Sequence, residues 1–69
     1  MITEHERVVL LRELPTGGVA AGAIGTVVYC YAAGLGYEVE FMANDGHTIA
    51  VATVSAEQIR RVIEPKLSL

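Results

Sequence analysis

Apolar and polar positions alternate along this chain in short runs, separated by closely spaced turn residues. The clearest run is Tyr37-Glu38-Val39-Glu40-Phe41. Side chains of a strand point alternately to its two faces, so Tyr37, Val39 and Phe41 share one face while Glu38 and Glu40 share the other. Other runs read the same way: residues 7–11 as a first strand, 25 or 26 through 32 as a second, 37–42 as the third, 47 through 53 or 54 as a fourth and 60–63 as a fifth. The turn cluster Pro15-Thr16-Gly17-Gly18, followed by Gly22 and Gly25, places one loop of about a dozen residues after the first strand. Ala33-Gly34-Leu35-Gly36 and Asn44-Asp45-Gly46 read as hairpin connections, because Gly, Asn and Asp tolerate the positive φ of tight turns. Ser55 and Gln58, three residues apart, predict a capped single turn of 3₁₀ helix before the fifth strand.

Five short strands, a long first loop, tight hairpins and one 3₁₀ turn before the last strand predict an all-β fold, a five-stranded SH3-like barrel. An oligonucleotide-binding barrel is the rival, but it needs more residues and a longer helix after the third strand. The expected boundaries are a flexible N-terminal tail over 1–6, the barrel over 7–64 and a C-terminal tail over 65–69.

With 69 residues there is room for one domain. A core of this size supplies about 3–5 kcal/mol, and short chains commonly add disulfides, metals or oligomerisation. Cys30 is the only cysteine, which excludes an internal disulfide and fits a reducing, cytoplasmic compartment. The apolar fraction of 52% is high for so short a chain and points toward a contact between subunits. The net charge is −3, and the basic residues are Arg7, Arg12, Arg60, Arg61 and Lys66. That balance argues against a dedicated nucleic-acid binder, whose affinity comes from Lys and Arg on phosphates. The first residues are acidic and polar, unlike a secretory signal. Residues 14–37 carry no charge and are long enough to cross a bilayer. Pro15 and the glycines interrupt them, Val27-Val28-Tyr29 favours strand, and no basic cluster flanks them, so no membrane span is expected.

Several pieces recur in a fixed order: Arg7-Val8-Val9-Leu10, Leu14-Pro15, Ala21-Gly22-Ala23-Ile24-Gly25-Thr26-Val27-Val28, Tyr37 to Phe41, Asp45-Gly46-His47-Thr48-Ile49-Ala50-Val51 and Gln58-Ile59-Arg60. Together they resemble the bacterial family known as domain of unknown function 4926, over nearly the whole chain from about Glu6 to Val62. A fainter likeness extends to the barrel of nitrile hydratase β and accessory subunits. The family brings no assigned activity. The resemblance implies a small stand-alone protein and, by analogy with toxin–antitoxin pairs, a protein partner.

Candidate chemistry is sparse. Gly22 and Gly25 lack the third glycine, the following helix and the lysine of nucleotide-binding loops, and read as turns. Cys30 lies in an apolar strand, and the histidines, His5 and His47, fall in the tail and at a hairpin, so no nucleophile–base set is predicted. His5, His47, Asp45, Glu4 and Glu6 do not have zinc-site spacing. Glu38 and Glu40 read as a solvated strand face rather than an acid–base pair. No cofactor, metal or catalytic residue is expected. The second and fourth strands, however, are uncharged on both faces, and exposed apolar strand faces mark interaction surfaces. Strict alternation groups Val27, Tyr29 and Tyr31 against Thr26, Val28 and Cys30, and Ile49, Val51 and Thr53 against Thr48, Ala50, Ala52 and Val54. Val28, Tyr29, Cys30, Tyr31, Ala50 and Ala52 are the candidate interface residues. The expected function is a non-catalytic protein-interaction module that self-associates into a homo-oligomer or binds a protein partner. A nucleic-acid or ribosome-associated barrel and an accessory subunit of an enzyme are the alternatives.

Overall fold

A computed structural model describes residues 2–15, 18–43 and 45–63. The C-terminal tail expected over 65–69 lies outside the described residues, as do Thr16 and Gly17 of the turn cluster and Asn44 of the second hairpin. The five strands are β1 (Arg7–Leu10), β2 (Ile24–Cys30), β3 (Tyr37–Met42), β4 (Thr48–Val54) and β5 (Ile59–Arg61). They form one antiparallel sheet in the order β4-β3-β2-β1-β5. Consecutive strands therefore lie side by side until the last, which returns to pair with the first. No ladder joins β4 to β5 among the described residues, so these two strands are the edges of an open sheet.

The fold is all-β apart from two 3₁₀ turns, one more than the sequence predicts. The expected turn is Ala56–Gln58, where the Ser55 backbone N–H donates to the Gln58 carboxamide oxygen at 2.8 Å. The additional one, Ala32–Gly34, makes the β2–β3 connection. Ala33 and Gly34 both take left-handed φ, 60° and 69°, and the Leu35 N–H closes onto the Ala32 carbonyl at 3.2 Å. These bonds wind a connection read as a simple hairpin loop into a coil.

Alternation builds the core. Val8 and Leu10 of β1, Val27 of β2, Tyr37, Val39 and Phe41 of β3, Val54 of β4 and Ile59 of β5 are buried together. The long β1–β2 loop closes over them. Leu14 and Val19 pair as an isolated bridge, both buried, and the Gly22 N–H bonds back to the Leu10 carbonyl at 2.7 Å. That loop is thus packed into the core by its own apolar residues. The N-terminal segment, read as a flexible tail, runs beside β2. The His5 N–H bonds the Val27 carbonyl, the Val27 N–H bonds the Glu6 carbonyl, and Ile2 packs against the core. Residues 14–37 hold this loop, β2 and the first 3₁₀ turn; among the described residues no helix is long and apolar enough to cross a membrane.

Two irregularities decide what faces outward. Between Val27 and Tyr29 the β2–β3 register slips, so Val28 has no opposite number on β3. Between Thr48 and Ala50 the β3–β4 register slips likewise, leaving Ile49 unmatched. Each is a β-bulge, which interrupts strict alternation and re-aims the side chains around it.

Candidate functional site

The face of the sheet opposite the core carries the candidate site. Cross-strand partners share a face, so the register sets its rows. Thr26, Glu40 and Val51 form one row across β2, β3 and β4, and Tyr29, Glu38 and Thr53 form the next. Glu38 and Glu40 thus lie in the middle, with an aromatic strand on one side and an aliphatic strand on the other. Tyr29 and Tyr31 meet edge to face with ring centroids 5.0 Å apart. The Tyr31 hydroxyl donates to Glu38 Oε1 at 3.2 Å, and the Thr53 hydroxyl donates to the same oxygen. The Thr48 hydroxyl donates to Glu40 Oε2 at 2.8 Å. Neither carboxylate has an ion pair among the described residues. On the flanks, Val28, Tyr29 and Tyr31 of the β2 side are 43%, 51% and 40% exposed, and Ile49 and Val51 of β4 are 46% and 56% exposed.

The sequence-derived interface residues divide between the two faces. Val28, Tyr29 and Tyr31 are exposed on the outer face. Cys30, Ala50 and Ala52 are half-buried and pack against the core. Cys30 Sγ lies 3.8 Å from the Ile2 carbonyl oxygen, its acceptor. The Val28 bulge is the reason for the split on β2. Strict alternation groups Tyr29 with buried Val27, whereas the extra residue turns Tyr29 outward opposite Glu38 and Cys30 inward opposite Tyr37. On β4 the larger residues Ile49 and Val51 face solvent, and the alanines fit over Phe41 and Val39. Ile49 and Val51 were legible as one strand face, but the pattern of β4 alone does not tell which face is covered.

Other candidates are placed more simply. Arg60 and Arg61, adjacent in sequence, fall on opposite faces: Arg60 stands opposite Val9, and Arg61 stands opposite buried Val8 at the sheet margin. Arg61 Nε pairs with Glu6 Oε2 at 2.6 Å, and this hydrogen bond holds the Glu6 carboxyl below its ordinary range. Asp45 accepts from the His47 backbone N–H at 3.0 Å and lies 2.8 Å from His47 Nδ1, which makes the pair a turn clasp. The backbone bond and then the imidazole contact lower the Asp45 pKa. Among the described residues no three His, Cys, Asp or Glu side chains gather as a metal site. One depression is lined by Val9, Ile24, Arg60, Arg61, Val62 and Ile63, and another by Arg7, Gly22, Ala23, Ile24, Met42, Ala43 and Gly46.

A family model described as Domain of unknown function (DUF4926) matches residues 4–61. The chain belongs to that family. The match takes in all five strands, both bulges and every residue of the acidic stripe and its flanks. Neither a curated protein nor a solved structure matches the chain.

Proposed function

We propose that this DUF4926 chain is a non-catalytic protein-interaction module whose outer face, over β2, β3 and β4, receives a segment of a protein partner. One observation carries the reading: two carboxylates, Glu38 and Glu40, held by hydroxyl donors and without an ion pair among the described residues, lie between exposed Tyr29 and Tyr31 on one side and exposed Val51 on the other. Exposed tyrosines are frequent anchors of binding energy, since they bring large area at low entropic cost. Carboxylates beside aromatic rings favour Lys or Arg, which gain both a charge partner and a ring face. The strand order, with β5 returning to β1 after a 3₁₀ turn, supports an SH3-like arrangement as the scaffold, although the sheet is open between β4 and β5 among the described residues rather than closed into the expected barrel. The lone Cys30 supports a reducing, cytoplasmic setting.

Selection of a random peptide library on the immobilised chain tests this. Binders enriched in Lys or Arg next to apolar residues are expected, with affinity that falls as salt rises. Tyr29→Ala and the double change Glu38→Gln/Glu40→Gln are each expected to weaken such a peptide about tenfold or more, the loss that marks an interface anchor. Peptides without basic enrichment, or equal binding to the variants, would overturn the reading.

A further inference from the structure

The two edges of the sheet are built differently. β5 is three residues long and carries Arg60 and Arg61, with Arg61 tied to Glu6. Short length and charge are how natural sheets blunt an edge against pairing. β4 spans seven residues, Thr-Ile-Ala-Val-Ala-Thr-Val, with no charge and no proline. Its one irregularity is the bulge at Ile49, which leaves residues 50–54 as a regular stretch in register with β3. An edge of this kind presents unpaired backbone donors and acceptors as a template for another strand.

We propose that β4 pairs antiparallel with β4 of a second copy, making one continuous sheet with five strands from each chain. The regular stretch is centred on Ala52, so a two-fold axis there sets Ala52 against Ala52, Val51 against Thr53 and Ala50 against Val54. Every such pair is uncharged and joins residues of the same face. The contact is isologous and closes after two chains, consuming the β4 edge of each and leaving the short, charged β5 strands at the two ends of the sheet. Charge selects this geometry over stacking of the outer faces. Stacked sheets lie about 10 Å apart and would set the Glu38 and Glu40 rows of the two copies against each other. Edge pairing separates the two β3 strands by three strand spacings, about 14 Å, beyond the screening length of about 8 Å at physiological salt. It also leaves the acidic stripe open to a partner. Head-to-tail pairing of β4 with β5 is limited to three residues and meets two arginines.

The inference rests on reading the chain as an interaction module, and its test separates the two. Light scattering after size exclusion is expected to give twice the chain mass for the wild type. The double variant Val51→Glu/Thr53→Glu sets like charges across the proposed pair, with Glu40 and Glu38 beside them giving no compensation, and is expected to give the single-chain mass with a retained β circular-dichroism spectrum. Isotope-filtered NMR on a mixture of labelled and unlabelled wild type covers the case in which the variant does not fold. Intermolecular backbone contacts within residues 50–54 support the pairing. A single-chain wild type, a larger ring, a dimer that survives the introduced glutamates, or intermolecular contacts confined to Tyr29 and Val28 overturns it. The peptide selection above reads Tyr29 and Glu38 in either state, so edge pairing can fail while the interaction face stands, and the reverse.

Discussion

Gly25 stands in the interior of β2, opposite Phe41 of β3 and Val8 of β1. A Cβ there would come within 2.5 Å of Val39 Cγ1 and 2.9 Å of both the Glu40 carbonyl oxygen and Phe41 Cδ1. Its glycine is required by close approach, while Gly22, with φ 92°, is required by backbone conformation. The sequence reading treats both as turn residues. Only Gly22 is one, because the reason for Gly25 sits on the next strand. Gly25→Ala is expected to destabilise the fold by about 1–3 kcal/mol through overpacking, read as a lowered urea midpoint, while Ala23→Gly beside it shows no such steric cost. Against a core that supplies about 3–5 kcal/mol, that loss brings the chain close to unfolding.

Among the elements, β3 was fully legible and β2 was not. Tyr37–Met42 alternates without a break, and its observed bounds match the expected ones. β2 runs from Ile24 to Cys30, and the Val28 bulge divides it into two halves of opposite phase. A one-residue slip exchanges the faces of every later side chain. The candidate face was therefore half legible: its residue types were visible, but the assignment of Tyr29 and Cys30 to faces follows from pairing with β3. Deletion of Val28 tests this. It removes the extra residue, so the ladder becomes regular while Tyr29 stays outward opposite Glu38 and Cys30 stays inward opposite Tyr37. The Cys30 thiol of the deletion variant is therefore expected to react with a thiol reagent as slowly as that of the wild type, and Val28→Ala, an exposed truncation, to shift stability by no more than about 0.5 kcal/mol. A Cys30 thiol uncovered by the deletion would show that Val28 is not the residue that sets the face.

The whole molecule is tied together by its first and last described segments. Glu6, just before β1, pairs with Arg61 of β5, and the Val62 N–H bonds the Arg7 carbonyl at 3.0 Å. The Arg61 hydrogen bond lowers the Glu6 pKa in the folded chain. A carboxyl with a depressed folded pKa contributes stability above its unfolded value, and that contribution is lost as pH falls through the lowered folded value. Glu6→Gln is therefore expected to lower the urea midpoint modestly at neutral pH and to match the wild type once acid has protonated Glu6. A difference that persists unchanged into acid would assign the effect to packing instead. The sequence by itself determined the number and order of the strands, the capped turn before β5 and a chain whose second and fourth strands are uncharged on both faces. Those properties depend on residue type and local spacing. Only the tertiary structure decided which of those faces is covered and that β4 and β5 stand at the two ends of the sheet among the described residues. Each depends on pairing between residues distant in the chain, and local spacing does not record a register set by another strand.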